Sequence, residues 1–252
     1  MKKTFTLAVT FFIAMSFSAS AYAAEIKVLC TNGVKAVVEE LIPQFERSNT
    51  NGDKVVLQFE PSTQLRKRID AGEPFDLVIM TTTLVDEEIK AGKLTGDSRT
   101  FIARSGLGVS IRSGGKKPNI ATVDAFKRAL LNADSITFAQ QGASAQPFEL
   151  LVAKLGITAQ LRPKYNLRNT AAEVGEAVSS GVVELGIAPV SEILPVRGVD
   201  LVGPFPKDVQ SYVEMTGAVS SSAKAKDEAK KLLAFLVAPA NKTVFAAKGM
   251  ER

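Results

Sequence analysis

The chain has 252 residues, with 31 Lys and Arg against 26 Asp and Glu, a net charge of +5, one cysteine and no histidine. The lack of histidine excludes a Ser-His-Asp triad, an imidazole base and a histidine metal site, and a single cysteine excludes an internal disulfide and a structural zinc site. Basic residues are interspersed with acids and aromatic residues are sparse, so the basic stripe of a nucleic-acid-binding protein is missing. We therefore expect no metal, no cofactor and no nucleic-acid partner.

The N-terminus has the pattern of a secretory signal. Lys2 and Lys3 precede an apolar run, and small residues follow it at Ala21-Tyr22-Ala23. This predicts a signal peptide at residues 1–23 and a periplasmic mature protein. Its removal takes away two lysines and no acid, so the net charge falls from +5 to +3. A retained membrane anchor is the alternative, but the apolar run is shorter than the roughly 20 residues that span a bilayer.

Beyond the signal, apolar β-type runs alternate with helical patterns, which indicates parallel strands with crossover helices. Strands are predicted at 26–29, 55–59 and 77–80, and each is followed by a predicted helix, at about 34–45, 64–71 and 84–91. Pro43 lies inside the first helix and is expected to end or kink it. Cys30, at the end of the first strand, is expected to be a buried apolar residue.

A predicted strand at 103–111 leaves this first unit. A second unit follows, with predicted strands at 135–138 and 184–188 and helices at 145–155 and 170–180. The chain returns through 199–202 to a strand at 212–219 and terminal helices at 223–237 and 239–248. This order predicts an α/β protein of two lobes with the ligand cleft between them, and a single doubly wound sheet is the alternative. In either fold, ligands bind at the carboxyl ends of the strands.

Hydroxyl groups or glycines stand at the predicted strand-to-helix junctions, namely Thr31-Asn32-Gly33, Pro61-Ser62-Thr63, Thr81-Thr82-Thr83 and Gln141-Gly142-Ala143-Ser144. Backbone amides at a helix start, together with the helix dipole, favour an anion. Simple N-capping is the alternative for any one junction. Because all four junctions follow strands, we expect them to form an anion-binding cleft.

The charged candidates are less specific. Arg66 and Arg104 could each meet a carboxylate, although a surface salt bridge is equally compatible with Arg104. Glu60, Tyr212 and Glu214 are the candidates for proton transfer.

A longer pattern resembles a known family. It consists of Ile26-Lys27-Val28-Leu29, Gln44-Phe45, Ser62-Thr63 and the stretch Asp70-Ala71-Gly72-Glu73-Pro74-Phe75-Asp76-Leu77. It continues through Lys154-Leu155-Gly156, Leu185-Gly186-Ile187 and Phe205-Pro206. These residues resemble the periplasmic molybdate-binding proteins, which are type II solute-binding proteins of ABC importers, and the likeness covers nearly the whole mature chain.

The resemblance implies two α/β lobes joined by a two-strand hinge, with the ligand enclosed between them. Lobe 1 would contain residues 24–105 and 203–252, and lobe 2 residues 106–202. It also implies a monomer that delivers its ligand to the permease of an importer.

The implied ligand contacts are only partly retained. The resemblance places the family's first oxyanion-binding serine at Gly33, its second at Ser62, and its amide donors in lobe 2 at about Ser144 and Ala171. The family's pocket tyrosine falls at Pro189, which has no hydroxyl and no amide hydrogen. Loss of two donors argues against molybdate and tungstate, because buried polar groups discriminate strongly between ligands. A larger anion such as a di- or tricarboxylate is favoured, with Asn32, Ser62, Thr63, Thr82, Arg104 and Ser144 among its expected contacts.

Two hypotheses follow. The first is a periplasmic binding protein for a small organic carboxylate or oxyanion. The second is an isomerase of an unsaturated tricarboxylate, because aconitate isomerase, which interconverts cis- and trans-aconitate, is similar to the same family. Its allylic proton shift needs a positioned acid or base and anion anchors, without metal or cofactor.

Overall fold

A computed structural model describes residues 23–252, so most of the predicted signal peptide lies outside the described residues. The strands are, in chain order, β1 (Glu25–Thr31), β2 (Lys54–Glu60), β3 (Leu77–Thr81), β4 (Thr100–Arg112), β5 (Ile136–Thr137), β6 (Leu185–Pro189), β7 (Val199–Pro204) and β8 (Tyr212–Val219). The α-helices are α1 (Lys35–Ser48), α2 (Ser62–Asp70), α3 (Thr82–Lys90), α4 (Val123–Asn132), α5 (Ala145–Lys154), α6 (Thr158–Leu161), α7 (Ala171–Ser179), α8 (Val190–Ile193), α9 (Lys226–Leu236) and α10 (Lys242–Ala247).

The strands pair in the order β2-β1-β3-β8-β4-β6-β5, and β7 also pairs with β4. The long strand β4 belongs to two sheets. Its first part, through Gly106, pairs antiparallel with β8, and its second part, from Leu107, pairs antiparallel with β6 and β7. Because one strand serves two sheets that each have their own helices, the molecule has two lobes with a cleft between them. The predicted two-lobed α/β fold is confirmed.

Lobe 1 is a sheet with helices on both faces. Successive residues of β3 point to opposite faces of the sheet, as the period of a strand requires. Leu77 and Ile79 join the core under α1 and α9, whereas Val78 and Met80 join the core under α2 and α3. All four of these side chains are fully buried, which is typical of a central strand covered on both faces.

Aromatic side chains form much of the core of lobe 2. Phe126 of α4 and Phe148 of α5 lie 4.7 Å and 6.2 Å, between ring centroids, from Phe205, which follows β7. Phe138 packs edge-on against Phe148 and Tyr165. Phe205 thereby ties the segment that leaves lobe 2 to the core of that lobe.

The structure differs from the sequence-based expectation at four helices. Pro43 does not end α1, which continues to Ser48. A proline inside a helix leaves the carbonyl four residues earlier without its partner, here Glu39, and that residue is exposed, so water can satisfy the carbonyl. The helices α4, α6 and α8 were not predicted, and α6 and α8 are only four residues long, too short for a periodic pattern.

Two segments cross between the lobes: β4, and the connection from β7 to β8. The side chain of Gln210 joins them, because its Nε2 donates to the carbonyl of Leu107 at 3.1 Å and its Oε1 accepts from the Leu107 amide at 3.0 Å. A backbone hydrogen bond joins the same two segments, because the Leu107 amide donates to the Ser211 carbonyl at 3.0 Å. The predicted boundaries of the lobes, at 105/106 and 202/203, stay a prediction.

Asp76, from the stretch that carries the family resemblance, is a structural residue. Its carboxylate is 4 % exposed and accepts hydrogen bonds from three backbone amides, those of Lys27, Lys224 and Ala225, at 2.9, 2.8 and 3.0 Å. The three donors come from β1 and from the residues just before α9, which are distant in sequence. Asp76 therefore fixes the C-terminal helices of lobe 1 to the sheet.

Replacement of Asp76 by Ala should lower the free energy of unfolding by about 3 kcal/mol, because it removes charge-assisted bonds and leaves buried amides unpaired. Urea denaturation followed by circular dichroism measures this loss. The exposed Asp208 is the matched control, and Asp208→Ala should change stability by less than about 0.5 kcal/mol. Equal effects of the two substitutions would contradict the assigned role of Asp76.

Candidate functional site

The floor of the cleft in lobe 1 is a set of hydroxyl groups at the carboxyl ends of the strands. Ser62 Oγ donates to Thr31 Oγ1 at 3.1 Å and accepts from the Thr81 amide at 3.1 Å. Thr82 Oγ1 and Thr216 Oγ1 are 2.8 Å apart, within hydrogen-bond distance. These bonds join β1, β3, β8 and the starts of α2 and α3. These hydrogen bonds therefore fix the carboxyl ends of the strands relative to one another at the base of the cleft.

The helices that start here have no side-chain cap. No side-chain hydrogen bond caps α1, α2, α3 or α5, so the N-cap interpretation of Ser62, Thr82 and Ser144 is wrong. Thr122 and Thr170 do cap, and accept from the amides of Ala125 and Glu173 at 3.2 Å. The first amides of a helix have no partner within the helix. In α2 the Gln64 amide already donates to the Pro61 carbonyl at 2.9 Å, so only the amides before it can serve a ligand at the strand ends.

A cavity of about 520 Å³ lies between the lobes at this level. The starts of three helices line it: Lys35 of α1, Pro61 before α2, and Thr170 and Ala171 at α7. Phe59 supplies an apolar wall, and the remaining lining residues include Asn32, Ala36, Glu39, Glu60, Ala172, Ser191, Glu192, Pro195 and Val196. The cavity joins helix starts from both lobes, which is the arrangement that favours an anion.

The lobes touch across the cleft in two places. Gln64 Nε2 of α2 donates to Gln141 Oε1, in the loop before α5, at 3.0 Å. On the other side, α8 packs against the turn at Asn32–Val34. A Cβ atom added to Gly33 in this turn would lie 3.6 Å from Glu192 Oε1 and 3.1 Å from Met215 Cε. A side chain at Gly33 would therefore crowd Met215, and the Glu192 carboxyl lies within van der Waals reach of this turn of lobe 1.

Glu192 differs electrostatically from the other acids of the cavity. Burial raises its pKa to about 7, and no charged neighbour among residues 23–252 contributes to that shift. Glu60, in contrast, accepts from Arg68 at 2.9 Å, and Glu39 lies 3.8 Å from Lys35. Glu192 is thus a carboxyl group that titrates near neutral pH and lines a cavity whose other walls include Phe59, Pro195 and Val196.

The structure brings some of the expected site residues together. Asn32, Glu60 and Ala171 line the cavity, and Gly33 lies directly beneath Glu192. Ser62 is buried, with its hydroxyl bonded to Thr31 and Thr81, so it supports the floor of the cleft. Thr63, Thr82 and Ser144 are not among the residues that line this cavity. Ser144 is buried at the start of α5, and Pro189 is buried at the end of β6.

The structure places other expected residues away from the cavity. Arg104 is paired with Glu251 at 2.7 Å, and its guanidinium lies 4.2 Å from the ring centroid of Tyr212. Glu214 is exposed on the same face of β8 as Tyr212, opposite the buried Met215 that contacts the Gly33 position. Arg66 is held by Glu87 and Glu88 in an ion-pair network of lobe 1, with Arg66 Nε 3.1 Å from Glu88 Oε1. Arg104 and Arg66 therefore serve ion pairs, and none of these four residues lines the cavity.

A larger cavity, of about 880 Å³, lies around the hinge and the C-terminus. Gly106, Phe205, Gln210, Tyr212 and Glu251 are among its lining residues. It shares none of the residues that line the cavity between the helix starts. We therefore place the candidate site at the smaller cavity, where strand ends and helix starts meet.

Sequence reasoning missed Lys35, Thr170, Ser191 and Glu192. The signal for Glu192 was present: it follows a predicted buried strand by a few residues, where side chains face the ligand side of an α/β sheet. Lys35 follows the first junction in the same way. The search for hydroxyl groups and glycines at these junctions left out acids and lysines one turn further along.

Within residues 23–252 no group of His, Cys, Asp and Glu has the arrangement of a metal site. In the same range no helix has the length and apolar composition that a membrane span needs. Cys30 is a free, buried thiol whose pKa is raised by that burial, so it is not a nucleophile in this site.

The two lobes, the shared strand and the cleft at the strand ends define a type II binding protein. A family comparison agrees: the profile of the family "Bacterial extracellular solute-binding protein" matches residues 26–251. The chain belongs to this family.

Characterised relatives point to two activities. The chain is 28% identical to an aconitate isomerase of a Pseudomonas species over 214 residues, which is 83% of this chain and 80% of the relative. It is 24% identical to a molybdate-binding protein of Azotobacter vinelandii over 238 residues, 91% of each chain. Among solved structures, the sulfate-binding protein SubI of Mycobacterium tuberculosis superposes with a TM-score of 0.76 at 19% identity, covering 90% of this chain and 86% of that one.

Loss of the Ser62 hydroxyl should lower the free energy of unfolding by about 1 to 2 kcal/mol, because the Thr81 amide then loses its buried partner. Chemical denaturation of Ser62→Ala measures this effect. Thr63→Ala, at the exposed neighbouring position, is the control and should be close to neutral. If both variants were as stable as the wild type, the hydroxyl network would not organise the floor of the cleft.

Proposed function

We propose that this chain is a periplasmic protein that captures a small organic polycarboxylate between its two lobes. The observation that carries the proposal is the interlobe cavity where the starts of α1, α2 and α7 meet. The positive ends of three helix dipoles there suit carboxylate groups without a full set of counter-charges. The family to which the chain belongs supports a solute-binding role.

The composition of the cavity favours a polycarboxylate over a tetrahedral oxyanion. Gly33 has no hydroxyl, and the Ser62 hydroxyl is already occupied by Thr31 and Thr81. Pro189 is buried and has no donor. A volume of about 520 Å³ fits a ligand of several functional groups better than a small compact ion. Lys35 is the cation of this cavity, and its ammonium is half exposed, close enough to the opening to meet a carboxylate.

The same proposal includes export and partners. The N-terminal pattern supports a periplasmic location, and the family supports delivery of the ligand to an importer permease by a monomer. Size-exclusion chromatography with light scattering tests the monomer: a stable dimer at micromolar concentration would contradict it.

A ligand panel tests the main proposal. Tricarboxylates and dicarboxylates at millimolar concentration should raise the melting temperature by several degrees, because a ligand that binds only the folded state stabilises it. Molybdate, tungstate and sulfate should have no comparable effect. Calorimetry then gives the affinities of the ligands that stabilise the protein.

Lys35→Ala should weaken binding of the best carboxylate about tenfold, since one charge-assisted contact is lost. Lys90→Ala, exposed on α3, is the matched control and should bind as the wild type does. Stabilisation by molybdate but by no carboxylate would refute the choice of ligand.

A second candidate function is an isomerase of an unsaturated tricarboxylate. Two observations favour it: the 28% identity to an aconitate isomerase, and a carboxyl group in the cavity with a pKa of about 7. An acid or base that operates near neutral pH needs such a pKa. Incubation with trans-aconitate, followed by proton NMR, decides between capture and turnover. Conversion no faster than in buffer alone would remove this candidate and leave the binding role in place.

A further inference from the structure

Glu192 is carried into the cleft by a short helix at the end of a buried strand. β6 ends at Pro189, α8 begins at Val190, and Glu192 follows two residues later. The side chain crosses from lobe 2 to the first helix turn of lobe 1, where it lies over Gly33. Its carboxyl group is therefore fixed between the lobes and lines the cavity that would hold the ligand.

The other charged groups around this cavity form ion pairs. Lys35 and Glu39 face it from α1 and lie 3.8 Å from each other. Glu60 faces it from the end of β2 and is paired with Arg68 at 2.9 Å. Among residues 23–252 no ion pair involves Glu192, and the strands that pack against α8, namely β4, β6 and β7, present no charged side chain to the cavity.

Ser191, next to Glu192, supplies a second unoccupied polar group. It is 4 % exposed, and its hydroxyl has no hydrogen-bond partner in the described chain. Its backbone is fixed, because the Ser191 amide donates to Ser105 Oγ at 3.1 Å, and Ser105 Oγ donates to the Gly249 carbonyl at 3.2 Å. A buried hydroxyl without a partner is rare in native proteins, and here it lines the ligand cavity.

We propose that Glu192 is the catalytic residue that transfers the proton in the allylic isomerisation of an unsaturated polycarboxylate, with Ser191 as a donor to the same substrate. This inference rests on the second candidate function above. It assigns the reaction to a carboxyl group that has no structural partner and is placed at the wall of the cavity.

The step balances without a cofactor. The C–H bond of the methylene next to the double bond breaks, and its proton passes to the Glu192 carboxylate. The electron pair is delocalised over three carbons and an attached carboxylate. A proton then bonds to the carbon at the far end of the former double bond, the double bond moves by one position, and Glu192 is again a carboxylate. No atom is gained or lost and no electron leaves the substrate.

The cavity can stabilise the charge that develops in this step. Negative charge accumulates on carboxylate oxygens of the substrate, and the positive dipole ends of α1, α2 and α7 lie at the same cavity. The low polarity around Glu192, which raises its pKa, also makes its ionised form a stronger base than an exposed carboxylate.

The experiment compares wild type with Glu192→Gln and Glu192→Asp, and separates binding from turnover. Calorimetry with trans-aconitate measures binding, and proton NMR measures conversion to the cis form. We expect Glu192→Gln to bind within about threefold of wild type and to convert at least 100-fold more slowly, in line with the usual contribution of a general base. Glu192→Asp should keep part of the activity, because it retains an ionisable group set back by one methylene.

The pH profile and a matched control complete the test. In wild type, kcat/KM should rise with pH with a midpoint at about 7 and level off above it, as Glu192 becomes fully ionised. The profile of Glu192→Asp should have a different midpoint. Glu176→Gln, on the exposed face of α7, should have the rate and profile of the wild type.

The possible outcomes distinguish the role of Glu192 from the proposed binding and isomerase functions. If wild type converts trans-aconitate and Glu192→Gln converts it within threefold of the same rate, the role of Glu192 is refuted and the isomerase stands. If Glu192→Gln loses binding together with turnover, Glu192 serves binding and the proposal is equally refuted. If wild type binds but does not convert, the isomerase itself fails, and the inference with it.

Discussion

The division of β4 between two sheets is the constraint on which the rest of this structure depends. A single strand pairs with β8 before Gly106 and with β6 and β7 after Leu107, so the lobes cannot separate and can only bend about this region. The Gln210 side chain, bonded on both sides of Leu107, holds the second crossing segment beside the first. Because both crossings lie on one side of the molecule, the strand ends of the two lobes are brought face to face, and the cleft is a consequence of that geometry.

The two walls of the cleft are chemically different. Lobe 1 contributes helix starts above a network of hydroxyl groups, with Ser62 as the bridge between strand ends. Lobe 2 contributes the start of α7 and, from α8, the Ser191 hydroxyl and the Glu192 carboxyl, which have no hydrogen-bond or ion-pair partner among residues 23–252. Lobe 1 is therefore suited to hold the carboxylates of a ligand. Lobe 2 is suited to exchange a proton or a hydrogen bond with the carbon skeleton that carries those carboxylates. A pocket for a simple oxyanion would need donors on both walls.

Much of the fold was predictable because local patterns determine it. The apolar runs of β1 and β3, and the hydroxyl groups that follow them, indicated the strand ends and hence the position of the cleft. The faces of β4 were not predictable. Its register with β8 shifts between Phe101 and Ala103, which changes the side to which later residues point, and Arg104 consequently faces Glu251 and Tyr212. Glu192 was missed because the search after the strands was for hydroxyl groups and glycines, and the four-residue helix that carries it adds no periodic signal to its position after a strand.

Gly33, Pro189 and Glu192 are best understood as one feature. The Glu192 carboxyl lies over the first helix turn, 3.6 Å from the position that a Cβ at Gly33 would take, and buried Pro189 ends β6 so that α8 begins at once. The closed cleft raises the pKa of Glu192 from 4.5 to about 7, so its ionised form is disfavoured there. In an open cleft, water would solvate the same carboxylate and lower its pKa. Between those two values, rising pH therefore disfavours closure unless a ligand supplies donors or takes part in proton transfer. The raised pKa of Glu192 thus couples the protonation of the cavity to the closure of the cleft.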